Sequence, residues 1–372
     1  MMKSTCLSLL ALSLSLTIAS AQTQLSDADG DTRIETERSG ADDDLIYFTV
    51  DGTDRLLLRG SRIEPLNNGQ SIFIGNGAGQ DDDASNNRNL FIGQLAGQRT
   101  TTGQQNAALG YQALRNAITT DFNTAIGSSA LANLTSGNNN SAIGKRALTA
   151  LVTGANNGAI GPDAGLSLAQ GERNMLIGTE AGRGFTSGSD NVVIGYAAGR
   201  NATTGSGNVF IGSQAGRDET GSDKLYIANS ATATPLVQGD FAAESLVFNG
   251  DVGIGTSALA AGYALSVEGK IIAEEVKIQL AADWPDYVFA PDYELMPLSE
   301  VARHIEANGH LPNVPSAAAV KAAGGAEVGE MQRVLLEKIE ELTLYLLKAD
   351  ARIEQLERRL EDATTTPTPS AH

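Results

Sequence analysis

Asn140-Ser-Ala-Ile-Gly-Lys-Arg-Ala147 and Asn157-Gly-Ala-Ile-Gly-Pro-Asp-Ala164 are one phrase written twice, 17 residues apart. Its fixed points are an asparagine, an aliphatic residue directly before a glycine, and an alanine three positions beyond that glycine. Moving outward in both directions, the glycine recurs nine times, at Gly75, Gly93, Gly110, Gly127, Gly144, Gly161, Gly178, Gly195 and Gly212. The first step is 18 residues and every later step is 17. Such a period marks a chain that stacks one structural unit on the next, which makes a rod or a binding surface rather than a catalytic cleft.

Aligned on the glycine, the preceding position is always large and aliphatic, from Ile74 and Ile92 through Leu109 to Ile211, and is read as the core row. Four positions before the glycine stand Asn89, Asn106, Asn123, Asn140, Asn157, Asn174, Asn191 and Asn208, with Ser71 in the first turn. Rungs about 4.8 Å apart would let these amides form a ladder; the competing reading is that asparagine tolerates a left-handed turn conformation. Two variable positions compensate. Phe73, Phe91, Leu176, Val193 or Phe210, two before the glycine, go with glycine four after it; Ala108, Ala125 and Ala142 go with Leu114, Leu131 and Leu148. Constant volume across the pair implies a shared pocket. Ala159 with Gly165 breaks the rule, although Leu166 follows. The polar loops between phrases, such as Thr100 to Gln105 and Thr135 to Asn139, are expected to face solvent.

Composition agrees with a stacked core. Of 372 residues only 5% are aromatic while 41 are glycine, which is thin material for a large globular core. The net charge of −18 repels phosphate backbones and anionic headgroups, so nucleic acid is not an expected partner. Residues 1–21 carry Lys3, the apolar run Leu7 to Ile18 and Ala19-Ser20-Ala21, the pattern of a cleaved export signal. The predicted location is therefore outside the cell or at its surface. No later stretch is long and apolar enough for a direct membrane span. Cys6, the only cysteine, lies within the signal, so the mature chain has no thiol to offer.

Phrases such as Asn140-Ser-Ala-Ile-Gly-Lys-Arg-Ala and Asn191-Val-Val-Ile-Gly-Tyr-Ala-Ala resemble the head repeats of trimeric autotransporter adhesins. The resemblance covers residues 71–230 and implies left-handed parallel β-rolls with three chains side by side. Those adhesins end in a β-barrel anchor, whereas here the sequence closes on Thr364-Thr-Thr-Pro-Thr-Pro-Ser-Ala-His372. The region 250–350 is similar to a module of exported, tail-fibre-like proteins of the Bacteroidetes. That match rests on Val252-Gly-Ile-Gly-Thr256, Leu265-Ser-Val-Glu-Gly-Lys-Ile271, Trp284-Pro-Asp-Tyr-Val-Phe289, His310-Leu-Pro-Asn-Val-Pro-Ser316 and Lys338-Ile-Glu-Glu-Leu-Thr-Leu-Tyr345.

From Leu335 the apolar positions step by four and three through Ile339, Leu342, Leu346, Ala349, Ile353, Leu356 and Leu360, a heptad seam that needs a partner helix. Arg352 can meet Glu357 across such an interface, and Tyr345 can meet Asp350. Mixed Ile and Leu do not fix strand number, so three chains are implied by the resemblance alone. Before the seam, Ser299 to Asn308 is predicted as a helix capped by Ser299 and ended by Gly309. Trp284, Tyr287, Phe289 and Tyr293 are read as a small core, with an aromatic sugar platform as the sharper alternative. Leu45 to Val50 and Arg55 to Leu58 flank Asp51-Gly52 and predict a β-hairpin.

Chemistry is sparse. His304 and His310 lack metal-ligand spacing, and no serine has the lysine neighbour of a self-cleaving fibre chaperone. Asp27, Asp29, Asp31 and Glu35 offer alternating carboxylates as a calcium candidate, but glycine sits at the fourth position instead of the sixth and Arg38 at the twelfth. Solvated acidic turns are the preferred reading. An ice-binding rod is set lower because the loop threonines form no regular row.

The fold class expected is mainly β: a parallel β-roll or solenoid of 17-residue repeats, then a small α/β module and a C-terminal α-helical coiled coil. The predicted order is signal 1–21, β-hairpin segment 22–70, β-roll 71–230, β connector 231–282, mixed module 283–325, coiled coil 326–363 and disordered tail 364–372. The function expected is a non-catalytic homotrimeric fibre, without cofactor, for surface attachment or surface structure, its partners being itself and a glycan or protein ligand. A tail-fibre component of a phage-like particle is the alternative, ahead of a self-cleaving chaperone.

Overall fold

The computed structural model describes residues 24–36, 45–59, 61–66, 69–278 and 284–365. The export-signal segment and the tail beyond 365 lie outside the described residues. The chain divides into two compact units, 1–269 and 270–372.

In the first unit, β1 (Gln24–Ser26), β2 (Arg33–Thr36), β3 (Leu45–Val50), β4 (Thr53–Arg59) and β5 (Arg62–Pro65) form an antiparallel meander. The hairpin expected around Asp51-Gly52 is β3 with β4, and a register shift between Phe48 and Thr49 bends it. A separate twelve-stranded sheet follows. Its first ten strands are parallel and in register: β6 (Ile72–Ile74), β7 (Leu90–Ile92), β8 (Ala107–Leu109), β9 (Thr124–Ile126), β10 (Ser141–Ile143), β11 (Gly158–Ile160), β12 (Met175–Ile177), β13 (Val192–Ile194), β14 (Val209–Ile211) and β15 (Lys224–Ile227). The sequence announces nine rungs; β15 is a tenth, hidden because Ala228 stands where the glycine should be and the last step is shorter. Antiparallel β16 (Val237–Asp240) and β17 (Ser245–Phe248) complete the sheet. The short pair β18 (Val252–Ile254) and β19 (Leu265–Val267) stands apart.

The core row is not the one expected. Side chains alternate across a strand, and the buried position is two before the glycine: Phe91, Ala108, Ala125, Ala142, Ala159, Leu176, Val193 and Phe210. The aliphatic row directly before the glycine points outward, with Ile74 56%, Leu109 47% and Ile211 38% exposed. The shared pocket itself is real. A Cβ at Gly97 would lie 2.4 Å from the Phe91 ring and one at Gly216 2.5 Å from the Phe210 ring. Opposite the small alanines, Leu114, Leu131 and Leu148 fill the space and are fully buried. They do so in left-handed conformation, with φ of 53°, 50° and 50°. That costs about 1–2 kcal/mol, which the roughly 1.5–3 kcal/mol from burying each leucine offsets. The Ala159 exception is filled from adjacent rungs: a Cβ at Gly165 would meet Leu148 and Leu176, each at 2.7 Å. Leu166, which follows that glycine, is only half-buried, whereas Leu168 is buried. The loops are not wholly solvent-facing either, since Thr100 and Thr120 are buried.

The second unit contains a 3₁₀ turn (Pro285–Phe289), α1 (Leu298–Asn308), α2 (Ala317–Ala322) and the 38-residue α3 (Val328–Thr365). No strand falls among the described residues of 284–327, so the module is helical rather than mixed α/β. Helix α1 ends at left-handed Gly309 as expected. It begins after Pro297 without a side-chain cap, so Ser299 is not the cap: proline's fixed φ starts the helix one residue earlier. Trp284, Tyr287 and Phe289 are largely exposed, and Pro285, Val288 and Val334 are buried instead. The tyrosines serve as struts: Tyr287 donates to Glu337 Oε2 (2.7 Å), and Tyr293 donates to Glu341 Oε1 (2.5 Å).

Beside these struts Glu340 is only 8% exposed and its Oε2 has no hydrogen-bond partner. Burial, reinforced by Asp286 and Glu337, raises its pKa. The folded state therefore holds the Glu340 proton more tightly than the unfolded chain does, so the residue destabilises this unit at neutral pH. That penalty shrinks as pH falls through the folded pKa. Glu340→Gln is expected to stabilise the unit by about 1 kcal/mol at pH 7. The gain should disappear toward pH 4.5, the ordinary glutamate value. Thermal melts at the two pH values check it; an equal gain at both would refute the assignment.

Candidate functional site

Because the row before each glycine faces outward, the row three before it does too, and the register joins both across all twelve strands. One column runs from Ile74 through Ile143 and Ile211 to Ile227, Val237 and Phe248. Its companion runs from Ile72 through Ser141 and Val209 to Leu225, Gly239 and Leu246. Neither column contains a charged residue, although 19% of the chain is charged. At strand spacing the face is about 50 Å long. Monomeric proteins rarely leave more than about 300–600 Å² of contiguous apolar surface open. The compensating pair in the sequence held the signal for this face: if the position two before the glycine is inside, alternation puts its neighbours outside.

Within the solenoid the asparagines form a continuous ladder. Each Oδ1 accepts the next asparagine's backbone N–H and, from Asn89 to Asn174, its side-chain N–H as well. For Asn140 and Asn157 these distances are 3.1 and 3.0 Å. The same Nδ2 also donates to a loop carbonyl 14 residues on, as Asn140 does to Gly154 O at 2.9 Å. Ser71 Oγ starts the series by accepting from Asn89 N, and Lys224 N ends it on Asn208 Oδ1. The left-handed residue is the one before each asparagine, such as Gln105, Asn139 or Asp190. The ladder is thus structural. A second, broken ladder escaped the sequence reading: Asp121, Asn138, Ser189 and Ser206 each accept the backbone N–H of the loop one rung earlier. Ser136, Thr153 and Gln170 also pair in register across three successive loops, a row that holds a single threonine.

The acidic turn brings Asp27, Asp29 and Asp31 together, with their carboxylate oxygens within 4.8 Å of one another. Asp27 Oδ1 accepts from Gly30 N and Thr32 N. Desolvation raises the Asp31 pKa, and Asp29 and Asp27 add to the rise; for Asp27 the backbone bonds outweigh desolvation and lower it. Glu35 is not part of the group; it pairs with Arg33 at 3.3 Å. The three aspartates could hold a cation only at an exposed turn whose best oxygen is already engaged.

The third surface is the seam of α3. Leu335, Ile339, Leu342, Leu346, Ile353, Leu356 and Leu360 are all exposed, Leu360 to 67%. From Leu346 on, every residue with a described side chain is exposed, so among the described residues nothing covers this half of the helix. In proteins most helical stability comes from packing of the apolar face, and here that face is open. His304 and His310 meet edge to face at 5.3 Å, as packing partners. Among the described residues no helix is long and apolar enough to cross a membrane.

No protein-family model, curated protein or solved structure matches the chain.

Proposed function

We propose that the chain is the subunit of an exported, non-catalytic homotrimeric fibre that serves surface attachment or surface structure. The observation that carries this reading is the charge-free outward face of the twelve-stranded sheet. A monomer has no use for such a face, and parallel self-packing buries it. The unaccompanied seam of α3 supports the same conclusion from the other unit, as a coiled coil. Three chains, rather than two, and the attachment role rest on the resemblance of the repeats to adhesin heads and of residues 250–350 to tail-fibre-like modules. Export rests on residues 1–21. The ligand is a glycan or protein bound on repeated polar loops, where three copies of a weak contact add up.

Light scattering of the chain from Gln22 onward is expected to give three times the monomer mass. Ile143→Asp together with Ile160→Asp should make the trimer dissociate at higher protein concentration than wild type, with the solenoid's circular dichroism unchanged and the α3 seam left intact. Each substitution places an unpaired carboxylate in an apolar interface, at a cost of several kcal/mol. A wild-type monomer at all micromolar concentrations would overturn the reading.

A further inference from the structure

Alongside the first turns of the seam, the second unit contains a cavity of about 480 Å³. One wall is Leu335, Ile339 and Leu342 of α3; the other is Met296, Leu298 and Leu311 from the segment around α1. All six side chains are open to solvent by more than a third. The second wall is tied in place: Tyr345 donates to Met296 O, and Tyr293 donates to Glu341. At its rim Lys338 pairs within the chain with both Glu337 and Glu341, and Glu294 adds one further carboxylate. What remains is an apolar trough that runs into the heptad seam.

We propose that this trough seats the α3 helix of a second copy of the chain, so that each module clamps its neighbour's helix as well as its own. The inference rests on the self-association reading and adds residues outside the heptad to the interface. Three observations select the occupant. The wall built from Leu335, Ile339 and Leu342 is the start of the seam that continues as Leu346, Ile353, Leu356 and Leu360, so a helix covering the lower seam runs on into the trough. The occupant must display aliphatic side chains at three- and four-residue steps. Within this chain α3 does so, whereas α1 already spends Leu298 and Val301 on the wall. Finally, trough and seam together offer ten exposed apolar side chains against four for the lower seam alone, and a stable interface needs a broad surface, roughly 800 Å² per partner.

The test uses the chain from Gln22 onward. Leu298→Asp with Leu311→Asp should weaken self-association at least about tenfold, with the helical signal of the unit retained. Leu356→Asp with Leu360→Asp serves as the seam control. Should the trough variant lose its fold, a second measurement decides: chains carrying Leu298→Cys are mixed with chains carrying Ile339→Cys and oxidised. The mature chain has no other thiol, so a disulfide-linked pair of the two kinds supports the trough contact. Wild-type association of the trough variant while the seam control dissociates, or absence of the mixed disulfide in an intact oligomer, overturns the clamp and leaves the fibre reading standing. A wild-type monomer overturns both.

Discussion

Gly144→Ala is expected to unfold the middle of the solenoid, at a cost of about 3–5 kcal/mol. Gly144 has φ of +143°, and a Cβ there would lie 2.4 Å from Gly161 O and 2.5 Å from its carbonyl carbon. Backbone atoms cannot swing aside as the end of a side chain can. Gly161 in turn is pressed against Gly178 in the same way, so displacing one rung displaces the next. Lys145→Ala, one residue along and exposed, serves as control and should fall within about 0.5 kcal/mol of wild type. Urea denaturation followed by circular dichroism separates the two. Equal midpoints for both variants would mean that the glycine column is not the constraint on rung spacing.

Asn140→Ala is expected to cost nearly as much, by loss rather than collision. The amide bridges four groups: its Oδ1 accepts Asn157 N and Nδ2, and its Nδ2 donates to Asn123 Oδ1 and Gly154 O. Removing it strands these buried partners, at about 1–3 kcal/mol for each that finds no water, or roughly 4 kcal/mol in all. Asn140→Asp discriminates further. A carboxylate at this buried point has lost the donor and gained a charge, so its folded pKa rises above the unfolded value. Its destabilisation should then be greatest at neutral pH and relax on acidification through that folded pKa. An aspartate variant whose deficit is the same at pH 7 and pH 4 would show that water reaches the ladder.

Period, stacking and asparagine ladder were legible because each is a spacing property, and spacing is what a repeated sequence displays. Inside and outside were not, since uniform aliphatic character suggests a core. Here the row from Ile74 to Ile211 is uniform because it faces outward as one surface, while the true core row varies from Phe91 to Ala125 because it is fitted to a partner six residues further on. The tenth rung escaped because Ala228 replaces the marker glycine. In the second unit, counting aromatics misplaced the core. Tyr287 and Tyr293 spend their hydroxyls on Glu337 and Glu341, which needs them at an edge, and the small Val288 takes the interior.

The in-register ladder also bears on how such a molecule changes over generations. Every rung offers the one above it the same acceptor and takes the same donor, so a cut and rejoining one period apart leaves no mismatch. Excising 141–157 would join Asn140 to Gly158 and restore Asn-Gly-Ala-Ile-Gly, with Leu131 standing in for Leu148 above Gly165. Slippage during replication could thus lengthen or shorten the rod in increments of about 4.8 Å. Reach would then be adjustable without redesign of any contact, provided each exchange pairs bulky and small rungs as Phe91 with Gly97 and Ala142 with Leu148 are paired now.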